Sequence, residues 1–206
     1  HSSFKDKVSM SNLCQEITLP TEPLQHIDGE GEIALCILSA INVGIVKLEE
    51  IGHLCDLSVR ALDELIDYQE YPVKAAEIST IKRRSLGIGY IGLAHYLAKN
   101  KVKYGDPEAH KLVHELTEAF QYYLIQASMN LAQEKGKCEY FERTKYADGK
   151  MPVDHYKKDL DDVCSTTLKL NWEKLRKQVK QFGMRNSTLS AQMPSESSSV
   201  VSNETN

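Results

Sequence analysis

The chain has 206 residues, 41% of them apolar and 26% charged, a profile that fits a globular protein with a sizeable core. Its formal net charge is −4 and its 25 Lys and Arg are scattered, so no basic stripe points to a nucleic-acid polymer as partner. No apolar run approaches the roughly 18 residues of a membrane span and no signal-peptide pattern opens the chain; no membrane partner is expected, and the expected location is cytoplasmic.

The first element is SNLCQEITLPT, residues 11 to 21, in which Asn12, Cys14 and Glu16 alternate with Leu13, Gln15 and Ile17. On an extended strand the three polar groups would share one face, neighbours ~6.5–7 Å apart. This fits either an edge strand with a polar face or an array gripping a small substrate. After a Gly-containing turn, IALCILSAIN over residues 33 to 42 is a short continuous apolar run that predicts a strand buried on both faces, with Cys36 inside it. From Leu48 to Tyr68, the residues Leu48, Ile51, Leu54, Cys55, Leu62, Leu65 and Ile66 recur at helical spacing and predict an amphipathic helix. A second helix is predicted from Pro107 to about Lys135, closed by Gly136, with Leu112, Val113, Leu116, Phe120, Tyr123 and Leu124 inward. A third runs from an Asn171 cap to Gly183. Strands alternating with helices imply an α/β or mixed layout, and no internal repeat is evident.

Several patterns have competing readings. Gly87, Gly89 and Gly92 in LGIGYIG satisfy G-x-G-x-x-G, but the preceding STIKRRS is a poor buried strand, so close backbone packing is expected rather than a dinucleotide site. His110 and His114 lie one helical turn apart, yet Lys111 stands where a zinc motif needs Glu; a solvated face is expected and no metal site is assigned. Tyr122 and Tyr123 fit a helix with one ring in the core and the other at its rim. The five cysteines, Cys14, Cys36, Cys55, Cys138 and Cys164, are odd in number and lack C-x-x-C, against a disulfide-stapled secreted fold, so the sequons at Asn186 and Asn203 carry little weight. Residues 186 to 206 have the composition of a disordered Ser-rich tail, although Pro194, Ser195, Glu196, Ser197 and Ser198 could also form a turn opening onto a helix that holds a phosphate. A start at His1 and an end at SNETN suggest a piece of a longer protein.

Taken together, SNLCQEITLPT, GEIALCILSAIN and MRNSTLSAQMPSESSS closely resemble the large catalytic subunit of class I ribonucleotide reductase. YQEYPVKAA, RRSLGIGYIGLAHYLAK, YYLIQAS and DHYKKDLD extend the resemblance along essentially the whole chain in the same order. It implies that residues 1–206 are a central, incomplete part of a ten-stranded α/β barrel with a finger loop, lacking the ATP-cone and the C-terminal relay and redox tail. The activity implied is radical reduction of ribonucleoside diphosphates to deoxyribonucleoside diphosphates for DNA synthesis. Cys14 then matches the thiyl-radical cysteine, Glu16 the carboxylate that takes the 3′-hydroxyl proton, Asn12 the amide that binds the sugar hydroxyls, and Cys36 one of two reducing cysteines. Pro194, Ser195, Glu196, Ser197 and Ser198 match the diphosphate-binding loop.

The resemblance implies no cofactor bound directly on this chain: a metal-containing small subunit supplies the radical, and ATP and dNTP effectors bind outside this segment. Implied partners are the nucleotide substrate, that small subunit, the remaining segments of the large subunit, and thioredoxin or glutaredoxin acting through the full-length subunit. The chain alone is expected to be inactive. The alternative is a non-catalytic remnant that packs with a complementary chain.

Overall fold

The computed structural model describes residues 3–164 and 167–206. The chain opens with an antiparallel hairpin, β1 (Val8–Ser11) and β2 (Thr18–Pro20), in which Met10 faces Leu19 and Ser11 faces Thr18. The predicted alternating strand over residues 11 to 21 is therefore corrected: residues 12–17 are the hairpin's connecting loop, because the chain must reverse for β1 and β2 to pair.

Two further strands, β3 (Ile37–Asn42) and β4 (Leu86–Ile91), pair in parallel, with Ile37 opposite Leu86 and Asn42 opposite Ile91. Parallel neighbours need a long crossover, here α1 (Ile51–Tyr68) and α2 (Lys74–Arg83). On the other edge of β4, the Leu86 and Ile88 amides donate to the carbonyls of Thr188 and Leu189 at 3.1 and 2.8 Å, and Ile88 bridges Ser190 in parallel. Chain continues from β4 through Gly92 into α3 (Leu93–Lys99), α4 (Pro107–Lys135), α5 (Trp172–Phe182) and α6 (Glu196–Val201). The described residues form a mixed α/β arrangement with two two-stranded sheets and no closed barrel.

The sheet has two unlike faces. Ile37, Ile41, Leu86 and Ile88 pack into the main core with Cys55, Val59 and Ile66 of α1 and Leu116, Phe120 and Leu124 of α4. Side chains alternate across a strand, so Cys36, Leu38, Gly87 and Gly89 fall on the opposite face. The run at residues 33 to 42 is thus not a strand buried on both faces: β3 begins after Cys36, and Leu38 is 43% exposed because helices cover one face only. Along α1 the buried stripe is Ile51, Cys55, Val59, Leu62, Asp63 and Ile66, while Leu48, in a short 3-10 turn ahead of the helix, and Leu65 point outward.

The long helix α4 has the predicted bounds, with Pro107 in its first turn and Gly136 at φ +85° behind it. Tyr122 is buried edge-to-face against Trp172 and Tyr123 is half-buried, as the adjacent pair predicts. His110 and His114 are half-buried rather than solvated, and His114 Nδ1 is enclosed without a hydrogen-bond partner among the described residues. α5 is capped by Asn171, whose side chain accepts from the Lys174 amide at 3.0 Å.

Candidate active site

A two-stranded hairpin is marginal by itself, and this one is held at its root. Beneath it Phe4, Ile17, Leu19, Ala34 and Ala191 form a second small core, with Met10 and Cys36 packed against it. Around it, Arg83 donates to both Glu32 oxygens at 2.9 and 2.7 Å and to Asp6 at 3.0 Å. Glu32 also accepts from the Glu22 amide at 2.6 Å, and Arg143 pairs with Asp6 and Glu22. Tyr140 stacks against the Arg83 and Arg143 guanidinium groups, 4.9 and 4.6 Å from its ring centre. Arg83 and Glu32 are buried, and leaving either charge unpaired is costly, so their pairing holds the root in one arrangement.

The loop carried by this root is closed by Asn12. Its amide donates to the Ile17 carbonyl at 3.4 Å, its side-chain Oδ1 accepts from the Ile17 amide at 3.2 Å, and its carbonyl accepts from the Gln15 amide at 3.2 Å. With Oδ1 engaged by the backbone, the side-chain NH2 is the group left to donate outward. Cys14 is exposed at the tip beside Leu13, which is 97% exposed. Glu16 turns inward: it is half-buried, and its Oε2 is enclosed without a hydrogen-bond partner among the described residues. Glu16 lines a cavity of about 450 Å³ whose wall also includes Thr18, Gln121, Lys150, His155 and Ser190.

Cys36 sits ahead of β3 on the open face of the sheet. Burial, and secondarily the negative charge of Glu16, pushes its thiol up to about 11. The sulfur lies by Gly87, where an added β-carbon would stand 4.0 Å from it and 2.5 Å from the end of Leu38. At Gly89 a β-carbon would meet the Ala191 carbonyl oxygen at 2.4 Å. These glycines lie inside a strand and serve close packing, and Gly92, at φ +81°, turns the chain into α3. The other buried thiols, Cys55 and Cys138, are both pushed up to about 12 chiefly by burial, as core packing requires. No cluster suited to a metal ion occurs among the described residues.

The Ser-rich segment is ordered. Pro194 precedes Ser195, the buried cap residue of α6, whose amide and hydroxyl both donate to Asn206 Oδ1, at 3.2 and 2.5 Å. Glu196, Ser197 and Ser198 form the first turn and are exposed, and Ser198 Oγ donates to the Ser195 carbonyl at 3.1 Å. Glu204 behind the helix accepts from His95 Nδ1 at 2.8 Å, a contact that holds the Glu204 carboxyl below its usual range.

The structure brings Glu16 and Cys36 within electrostatic reach and closes the loop through Asn12, but it sends Cys14 away from Glu16 instead of onto a shared strand face. The cavity wall from Gln121, Lys150 and His155 was invisible in the sequence, because each lies more than 100 residues from Glu16 and no local pattern links them. The Arg83–Glu32 root likewise spans unrelated segments.

The family model described as "Ribonucleotide reductase, barrel domain" matches residues 1–206. Among curated relatives, ribonucleoside-diphosphate reductase subunit alpha of Haemophilus influenzae is 59% identical and that of Buchnera aphidicola subsp. Schizaphis graminum 57% identical. Ribonucleoside-diphosphate reductase 1 subunit alpha of Escherichia coli is 52% identical. Each match covers 100% of this chain and 28% of the relative, so the chain spans under a third of their length. A match over every residue means that the chain belongs to the ribonucleotide reductase barrel-domain family.

Proposed function

We propose that this chain is a central part of the barrel domain of a ribonucleoside-diphosphate reductase large subunit and carries part of its active site. The observation that carries the reading is the hairpin loop: an exposed thiol at its tip, an inward carboxylate two residues on, and Cys36 within the field of that carboxylate. Ribose reduction by a radical needs such a set, a hydrogen-abstracting thiol, a proton acceptor and a source of reducing thiols around one sugar.

In this reading the thiyl form of Cys14 takes the hydrogen atom from C3′, becoming a thiol and leaving a carbon radical. Glu16 accepts the 3′-hydroxyl proton, for which an enclosed, unpartnered carboxylate oxygen is suited. The Asn12 NH2, freed outward by its Oδ1 contact to Ile17, donates to the sugar hydroxyls. The 2′-hydroxyl departs as water, and Cys36 with a second thiol from outside this chain supplies two electrons and ends as a disulfide. A thiol pushed up to about 11 stays protonated near neutral pH and so holds the proton this step consumes. Hydrogen return from Cys14 to C3′ restores the thiyl. The turn at Pro194, Ser195, Glu196, Ser197 and Ser198 receives the diphosphate, with free amides in the first turn of α6 and Ser195 held from behind by Asn206.

A thiol radical is not produced by a neighbouring base alone; a separate metal-containing small subunit supplies it. The remaining large-subunit segments complete the ten-stranded barrel and bind ATP and dNTP effectors, and thioredoxin or glutaredoxin acts through the full-length subunit in the cytoplasm. The test is deoxyribonucleotide formation by the completed subunit with its small subunit and a dithiol reductant. Glu16→Gln and Cys36→Ser are each expected to lower turnover at least about 100-fold, the lower end of what a positioned proton-transfer group contributes. Wild-type turnover in both variants would contradict the assignment.

A further inference from the structure

Gln15 is exposed, and its side chain makes no hydrogen bond among the described residues, yet its backbone φ is +62°, in the left-handed region that L residues seldom enter. It stands between Cys14 and Glu16. On extended backbone those two side chains would point the same way, whereas here Cys14 is exposed and Glu16 is turned inward with an enclosed oxygen. The conformation is held from both sides. The Gln15 amide donates to the Asn12 carbonyl at 3.2 Å, and the Asn12 side chain takes the Ile17 amide at 3.2 Å, which closes the loop past the left-handed residue.

We infer that Gln15 is a positioning residue: its left-handed backbone, not its side chain, sets the direction of the Cys14 thiol relative to the Glu16 carboxylate. This rests on the reading of Cys14 and Glu16 given above. Backbone strain held by surrounding bonds is one way a fold fixes reacting groups. Glycine enters the left-handed region freely and asparagine tolerates it, whereas a β-branched residue is a true outlier there. The fraction of loops in the productive form therefore follows the residue type, and turnover follows that fraction.

The test is a series at position 15 in the completed subunit assayed with its small subunit. Gln15→Gly and Gln15→Asn are expected to keep kcat within about threefold, while Gln15→Val lowers it about tenfold, with KM for the nucleoside diphosphate moving less than about twofold. The thermal midpoint of all three stays near wild type, because the residue lies in an exposed loop. A merely structural or inert residue would not split kcat from KM, nor be rescued by glycine. Wild-type kcat in Gln15→Val, or losses in Gln15→Gly and Gln15→Asn equal to that of Gln15→Val, would overturn the inference. Cys14→Ser run in parallel separates the two levels. An active Cys14→Ser removes the underlying reading; an inactive one beside a wild-type Gln15→Val removes the positioning role alone.

Discussion

Cys36 and Cys14 are thiols in opposite settings. Burial and the Glu16 carboxylate raise Cys36 from its ordinary 9.0 to about 11, so the fold favours its protonated form. The sign follows: the associated stability is intact below pH 9, and declines as pH rises from about 9 to about 11, where the unfolded chain ionises first. Since the thiolate is the species alkylated, iodoacetamide at pH 8 is expected to label exposed Cys14 well ahead of Cys36 in the reduced, completed subunit. Labelling of Cys36, followed by peptide mass spectrometry, rises steeply toward pH 11, and Glu16→Gln speeds it by removing the carboxylate charge. Equal labelling of both at pH 8, or no change in Glu16→Gln, would contradict that setting. At this scale the sequence was a poor guide to direction. Alternation of Asn12, Cys14 and Glu16 suggested one shared face, but a single left-handed residue, which no local residue preference marks at a glutamine, separates them.

Between elements, the decisive contacts are polar and distant in sequence. Asp63 of α1 is fully buried and accepts from Arg84 at 2.7 Å, Asn186 at 3.1 Å and Arg185 at 3.2 Å, tying the crossover to the residues that lead into β4 and into the segment along its other edge. Asp63→Ala leaves Arg84 paired with Asp67 but takes the partner of its buried Nε and a bond from Asn186, and is expected to cost about 1–3 kcal/mol in denaturant unfolding; a loss below about 0.5 kcal/mol would show that the cluster is not held as described. Gly87 and Gly89 give a ranked comparison. A methyl at Gly87 meets the flexible end of Leu38, whereas one at Gly89 meets the Ala191 backbone. Gly89→Ala is therefore expected to lose about 1–3 kcal/mol by overpacking and Gly87→Ala less, and the reverse order in melting would contradict the packing role. Helices α4 and α5 were legible because caps and periodicity are local signals. Helix α2 was not, since its sequence KAAEISTIKR lacks a clear apolar stripe, buries Ser79, and satisfies buried Thr80 and Arg83 through a hydrogen bond and ion pairs. Leu48 and Leu65 fit helical spacing but face outward, because Val59 and Asp63 define the buried side of α1.

On the scale of the whole molecule, the parallel layer is covered by α1 and α4 on one side and carries Cys36, Leu38, Gly87 and Gly89 on the other, where Cys36 also packs against the small core beneath the N-terminal hairpin. Gly87 and Gly89 at that surface let the segment at Ala191 and Met193 approach, and ion pairs hold the hairpin's root. The family was legible from motif order along the chain; the one-sided cover of the parallel layer was not, because packing between distant segments leaves no local pattern. In the proposed function the hairpin-tip thiol of Cys14 is the hydrogen-abstracting group. Its most direct test is deoxyribonucleoside diphosphate formation by the completed subunit with its small subunit, comparing wild type with Cys14→Ser while monitoring substrate binding. Turnover lost in Cys14→Ser with substrate binding and folding intact is the expected result. Turnover retained in Cys14→Ser, or absent from a folded wild-type complex, would contradict it and leave the loop as an inherited scaffold.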